Sequence, residues 1–561
     1  MTIEYEEFVA AKVAFRPAFG FDIADTDVHP SLKPHQRDLV RWAVQGGRRA
    51  MFADFGLGKT RIQLEIVRLT IERAGGRGLI VCPLGVRQEF TAEAAALGIS
   101  VRFVRTSAEV TGDGIYLTNY EAIRDGRLDP ALFDAVSLDE ASVLRSFGSK
   151  TYQTFLTLFD GCAHRWVATA TPSPNRYKEL IHYAGYLGVM DTGQALTRFF
   201  QRDSTKANNL TLYPHKEAEF WLWLSTWAVF LQRPSDLGYS DEGYDLPELE
   251  VLRHPVAVDH TTAGVDRDGQ GLLLRGGTLG VVDAAREKRD TLTERVARAI
   301  SIVAEHPDEP VVLWCDLNDE QTALEQALTA AGVTYSSVHG SLDPDEAERR
   351  ILAWKAANTQ VLIGKPVMLG QGLNLQRAAV AVFVGITHKF NDLIQAVHRI
   401  HRFGQTRPCT VHIVYAESET EVLRALDTKW EQHHQLRATM AALIREHGLS
   451  RASIDAALVR GLGIVRHETA GQGWQVANND CVLETQAMDD SSVDLIVTSI
   501  PFSNHYEYTP NYNDFGHTDD NAHFWAQMDF LTPQLLRVLR PGRIYACHVK
   551  DRILFGNVTG A

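Results

Sequence analysis

Residues Ala53-Asp54-Phe55-Gly56-Leu57-Gly58-Lys59-Thr60 constrain this chain more than any other stretch. They follow an apolar run, Ala50 to Phe52, and open a segment where Ile62, Ile66 and Leu69 recur at helical spacing before Gly75-Gly76 ends it. Strand, glycine-rich turn and helix start thus come in the order that cradles an anion. Backbone N–H groups converge there, and the helix dipole favours negative charge. In such a loop Gly56 and Gly58 let the backbone approach phosphates, Lys59 reaches the β- and γ-phosphates, and the Thr60 hydroxyl ligates Mg²⁺. Ala53 stands where glycine is usual at the first position.

The length of 561 residues implies roughly three or four domains. At 45% hydrophobic and 22% charged residues the composition is that of a soluble globular protein. No apolar run approaches the roughly 20 residues of a membrane span, and the acidic start Met1-Thr2-Ile3-Glu4 is unlike a targeting peptide. The six cysteines are scattered without CxxC pairing, which points to buried free thiols in a reducing, cytoplasmic compartment. The net charge of −14 gives no global attraction to nucleic acid, so any such contact must come from a local basic surface.

Residues 1–250 read as a first α/β lobe, with candidate strands Leu79–Cys82, Ile115–Thr118, Ala135–Leu138 and Trp166–Thr169. The mixed stretch from about 200 contains a Trp-rich, helix-like run, Phe220 to Leu231, and residues 251–290 read as a connection. A second lobe spans 291–450, with strands at Val311–Cys315, Val361–Gly364 and Ala379–Val384 and a charged helix over 417–447. Residues 451–473 read as a linker, and 474–561 as a third, short α/β pattern. The expected fold class is α/β, with parallel sheets flanked by helices.

Asp139-Glu140 directly follows the strand Ala135–Leu138, some eighty residues after the loop. There Asp139 would hold Mg²⁺, through water or directly, and Glu140 would polarise an attacking water; the alternative is a solvated turn. With these residues in view, the chain resembles superfamily 2 helicases of the Snf2-like branch over residues 30 to 430. Ala53–Thr60, Asp139-Glu140-Ala141-Ser142 and Ala168-Thr169-Ala170-Thr171-Pro172 resemble motifs I, II and III. Lys33-Pro34-His35-Gln36 resembles the adenine-reading segment, with Gln36 on the base edge. Gly370-Gln371-Gly372-Leu373-Asn374-Leu375 resembles motif V, and Gln395 to Gln405 resembles motif VI, including Arg399 and Arg402. Ser142 replaces a commoner His, and Ala170 a common Gly.

The resemblance implies two RecA-like lobes in tandem that bind ATP and Mg²⁺ between them. Gln36, Gly56, Gly58, Lys59, Thr60, Gly372 and Gln395 would contact nucleotide, and Arg399 and Arg402 would act as arginine fingers. Such fingers are worth roughly 10³ to 10⁵ in rate. It also implies a DNA partner, duplex and bound without sequence preference, with Pro83, Thr118, Asn119, Gly340 and Ser341 near its backbone. Each of these could equally be an ordinary strand-end turn, and RNA is not excluded by the residues.

Near the end, Ser499-Ile500-Pro501-Phe502 follows an apolar strand pattern and resembles the target-base turn of amino-group DNA methyltransferases. This implies a partial Rossmann-like methyltransferase domain in which the Ser499 side chain and a backbone carbonyl accept from the target amine, Pro501 shapes the turn and Phe502 stacks on the base. Ile500 stands where that family has proline, and no S-adenosylmethionine loop follows before Ala561. Methyl transfer is therefore not expected of this chain alone: either a bifunctional helicase–methyltransferase is truncated here or a second polypeptide completes the fold, and S-adenosylmethionine enters only if the domain is completed elsewhere. Three functions stay open: a DNA translocase, a motor serving a bacterial or phage modification enzyme, and a nucleotide-gated clamp without turnover.

Overall fold

Short apolar strands alternating with amphipathic helices build two parallel sheets. The structure is a computed structural model. It describes residues 4–14, 19–145, 149–172, 177–202, 210–258, 289–369, 373–387, 390–449, 464–501, 509, 511–516, 518, 521–549, 553–554 and 557–558. It divides into two units, one of residues 20–180 with 228–449, the other of 1–19, 181–227 and 450–561.

The larger unit holds both lobes. The first sheet contains β1 (Arg48–Ala53), β2 (Arg77–Val81), β3 (Val101–Phe103), β4 (Gly114–Thr118), β5 (Ala135–Asp139), β6 (His164–Ala168) and β7 (Ala228–Leu231). Their order is β3-β4-β2-β5-β6-β1-β7, and every pairing is parallel. The central strands are near-continuous apolar runs because helices cover both faces; Leu79, Ile80, Leu117, Val136, Trp166 and Val167 have no solvent exposure beyond 0%.

The second sheet contains β8 (Leu249–Val256), β9 (Val311–Trp314), β10 (Tyr335–Val338), β11 (Val361–Gly364), β12 (Val380–Val384) and β13 (Cys409–Ala416). Its order is β8-β13-β12-β9-β11-β10, again all parallel. In both sheets the strands share one direction, so their C-terminal ends form a common rim where ligands of open α/β sheets bind.

Two readings of the sequence change. The run Phe220 to Leu231 is not one helix: the helix Glu217–Ser225 gives way to β7, which pairs with β1 at Ala50↔Ala228. A short apolar run such as Ala-Val-Phe-Leu has no periodicity to separate helix from strand. The expected boundary at 250/251 also falls inside β8, which belongs to the second sheet. That edge strand is half exposed and was hidden by its charged residues, Glu250, Arg253 and His254.

In the smaller unit the helix Tyr5–Ala14 joins residues from the far end of the chain. Tyr5, Val9, Val482, Ile500, Phe515, Phe524, Met528 and Leu531 form one apolar cluster. The Tyr5 hydroxyl donates to Asp480 Oδ2 at 2.7 Å, and Asn513 Nδ2 donates to the same oxygen at 2.6 Å. His467–Gly471, inside the expected linker, pairs antiparallel with Trp474–Asn478. Val493–Ser499 and Leu539–His548 are parallel and joined through the helix Asn521–Val538. Four cysteines are buried, whereas Cys481 and Cys547 are exposed.

Candidate nucleotide site

The phosphate loop leaves the end of β1 and enters the helix Lys59–Ala74. Gly56 and Gly58 adopt φ of 84° and 83°, a region that favours glycine. Space makes the same demand. A Cβ on Gly56 would lie 2.4 Å from Phe403 Cβ, and one on Gly58 would lie 2.2 Å from Gln36 Nε2. Bare backbone at a helix start is the cradle that a phosphate needs. Lys59 Nζ donates to Ala53 O at 2.9 Å and Asp54 O at 3.1 Å. Burial pulls the Lys59 pKa down, while Glu140, Asp139 and Asp54 oppose it. Thr60 sits in the first helical turn beside it.

Gln36 stands at the third position of the helix Pro34–Gly46. Its Nε2 donates to Leu57 O at 3.1 Å and its Oε1 accepts from Lys33 N at 3.0 Å, which ties the start of this helix to the glycine-rich loop. Tyr244 stacks on Phe403 at 4.7 Å, and Lys33 lies over both rings at 4.2 and 4.9 Å.

Asp139 ends β5 under the same helix. Its Oδ1 accepts from Gln63 Nε2 at 2.7 Å, and Gln63 Oε1 in turn accepts from Ser137 Oγ at 2.8 Å. Burial, reinforced by Glu140, pushes the Asp139 carboxyl up to about 7. A bound divalent cation would reverse that shift. Glu140 has φ of 49°, a left-handed backbone that costs a non-glycine residue strain and is characteristic of functional positions. Its Oε2 accepts from the Thr169 hydroxyl at 3.2 Å.

From the second lobe, the helix Phe390–Ile400 carries Gln395 and Arg399, both buried. Arg402 follows in the turn after it. Burial lowers the Arg399 guanidinium to about 10; the charges of Glu140 and Asp139 pull against that, and Arg402 adds to it. Phe55 lies between the two halves. Its ring centroid is 5.4 Å from Lys59 Nζ and 6.0 Å from Arg399 Cζ, and it stacks on His398 at 4.4 Å. Gly372 lies outside the described residues.

The helicase conserved C-terminal domain family matches residues 291–404. Chromodomain-helicase-DNA-binding protein 1-like from Danio rerio is 24% identical over 471 residues, covering 72% of this chain and 44% of its own. SNF2 domain-containing protein ENL1 from Oryza sativa is 21% identical over 524 residues, covering 74% and 51%. Over both lobes the chain is thus similar in sequence to helicases of the Snf2 type. The chain spans about half the length, or less, of these curated relatives. A solved structure, the Sulfolobus solfataricus SWI2/SNF2 ATPase core in complex with dsDNA, gives a TM-score of 0.35 at 16% identity over 77% of this chain and 98% of that one.

Within this helicase-like core the expected backbone-contact residues lie at strand ends. Pro83 follows β2, Asn119 follows β4, and Gly340 and Ser341 follow β10 and are exposed. Thr118 is a correction: its side chain is fully buried and its hydroxyl donates to Val104 O at 2.8 Å, so it has no face for a ligand. Ser499 ends its strand with Oγ 3.1 Å from His548 Nδ1, and Pro501 follows it. Ile500, the departure from the expected turn, is core. Phe502 lies outside the described residues.

Sequence reading missed Gln63 and Phe55. Gln63 lies four residues after Lys59, hence on the same helix face, and that spacing was the available signal. Among the described residues no cluster of three or more His, Cys, Asp or Glu side chains is arranged to hold a metal. No described helix is long and apolar enough to cross a membrane.

Proposed function

We propose that residues 20–449 form an ATP-driven motor that moves along duplex DNA without reading its sequence. One observation carries this reading. Lys59 and Arg399, from different lobes, lie within about 6 Å of one aromatic ring, and Arg399 feels the charges of Glu140 and Asp139. Acid and lysine from the front half thus lie close enough to guanidinium groups from the rear half to feel their charge.

The residues fit ATP and Mg²⁺. The glycine cradle at the helix start would take the phosphates, and Thr60 and Asp139 would hold Mg²⁺, which supplies charge neutralisation at the β- and γ-phosphates. Glu140 would orient the attacking water. Arg399 and Arg402 would stabilise charge on the phosphoryl oxygens, an effect worth about 4 to 7 kcal/mol for such fingers. Because the arginines belong to the second lobe, hydrolysis would be coupled to lobe separation. The name of the chromodomain-helicase-DNA-binding relative supports DNA as the track.

Phosphate release with duplex DNA, single-stranded DNA and RNA at fixed salt tests this reading. Stimulation by duplex DNA, lost in Lys59→Ala and Glu140→Gln, is expected. An ATPase rate indifferent to DNA would remove the motor, and ATP binding without turnover would leave the clamp.

For residues 474–561 we infer, in second place, the front part of an amino-group DNA methyltransferase. The parallel pair Val493–Ser499 and Leu539–His548, with a helix between, supports it, and so does Ser499 at the strand end. A radiolabel filter assay for S-adenosylmethionine, with methyl transfer to duplex DNA as a second readout, tests this reading.

A further inference from the structure

The helix Thr420–His447 belongs to both lobes. At 28 residues it is about 42 Å long at 1.5 Å per residue. Its first half packs into the second lobe's core through Val422, Leu423 and Leu426. Its second half meets the first lobe. Arg445 pairs with Asp236 at 3.4 Å in the turn after β7, and Arg437 pairs with Asp54 inside the phosphate loop.

The Asp54–Arg437 side chains are 16% and 17% exposed, so the pair is shielded far better than an ordinary surface ion pair. Both Asp54 carboxylate oxygens are engaged. Oδ1 accepts from Phe55 N at 2.8 Å, and Oδ2 accepts from Arg437. The Asp54 backbone carbonyl is one of the two that hold Lys59 Nζ. A cavity of about 650 Å³ borders the pair.

We propose that Arg437 is a positioning residue for the phosphate loop: by gripping Asp54 it fixes the backbone from Ala53 to Phe55, and with it the aim of Lys59, only while this helix is docked on the first lobe. The proposal rests on the nucleotide reading above and deepens it. Undocking of the helix releases the loop and weakens nucleotide binding. Tight nucleotide binding, reciprocally, favours the docked helix, because coupling between two equilibria runs both ways.

The test uses the full chain with Arg437→Gln, Arg437→Lys, Asp54→Asn and the double variant Asp54→Asn/Arg437→Gln. Amide exchange over residues 53–58 without nucleotide is expected to quicken about tenfold in Arg437→Gln and to return most of the way in Arg437→Lys. The KM for ATP and the Kd for a fluorescent N-methylanthraniloyl-ATP are expected to rise about tenfold, with a smaller change in kcat. The double variant should bind no more weakly than the worse single one, as residues acting through one contact do. Unchanged exchange over 53–58, or strictly additive losses, would overturn the proposal. If the wild type binds no nucleotide, the ATPase reading fails by itself, and the exchange result still decides whether Arg437 holds the loop.

Discussion

The Thr169 hydroxyl donates to Glu140 Oε2 at 3.2 Å and accepts from the Thr171 amide at 3.1 Å. The segment after β6 thus holds the carboxylate that we assign to the attacking water. Thr169→Val keeps the shape and removes both bonds. It is expected to lower kcat for ATP 10- to 100-fold with little change in KM, the pattern of an interaction made mainly in the transition state. Steady-state phosphate release checks it; an equal loss in KM would place Thr169 in binding instead.

Gly58→Ala adds a Cβ where φ is 83° and Gln36 Nε2 is 2.2 Å away. Left-handed backbone costs an alanine about 1 to 2 kcal/mol, and Gln36 must also give up its bond to Leu57 O. Nucleotide affinity is expected to fall at least tenfold in a titration with labelled ATP, while the melting temperature falls by only a few degrees.

Arg399→Ala is expected to reduce kcat about 10³-fold while nucleotide affinity changes less than tenfold, as for an arginine finger. Arg399→Lys should not restore the rate, because a compact ammonium does not reproduce the guanidinium fork. Single-turnover hydrolysis separates the two quantities.

Acid should loosen the second lobe. His254 Nε2 and His412 Nδ1 are 2.9 Å apart and the rings stack. Burial, then the charge of His254, lowers His412 from 6.5 to about 4. A depressed histidine pKa means that the unfolded chain takes up protons that the folded one refuses. The associated stability is therefore full above pH 6.5 and is lost as pH falls toward 4. For one such group the loss at pH 5 is about 2 kcal/mol. Urea midpoints at pH 7.5 and pH 5 should differ more for the wild type than for His412→Asn.

Arg295 and Glu320 are both 0% exposed and pair at 2.6 Å. Glu320 also accepts from Asp316 N and Leu317 N at 2.8 and 2.9 Å, capping the helix Asn318–Ala330. Glu320→Ala leaves a buried guanidinium without its carboxylate and should cost about 3 to 5 kcal/mol. Denaturant unfolding of that variant measures it.

Much of this architecture was legible before any coordinates. The strands Val311–Trp314, Val361–Gly364 and Val380–Val384 are short, mostly apolar runs rich in valine, and the phosphate loop announces itself by glycine spacing next to an apolar run. Edge strands were not legible: β3 and β10 are three and four residues long, and β8 is rich in charge. Thr118 shows the limit for site residues. A threonine at a strand end reads as a surface contact until the neighbouring strand is seen to take its hydroxyl.

Local order along the chain determined the parallel lobes, the phosphate cradle and the Asp139-Glu140 pair, because each depends on side-chain periodicity and turn chemistry within about ten residues. Tertiary structure alone decided that Arg437 reaches Asp54 across 383 positions. It also decided that Phe55 lies between Lys59 and Arg399, and that Tyr5 packs with Phe530. Such contacts leave no local pattern, since what selects them is the burial and charge pairing available only once distant segments have been brought together.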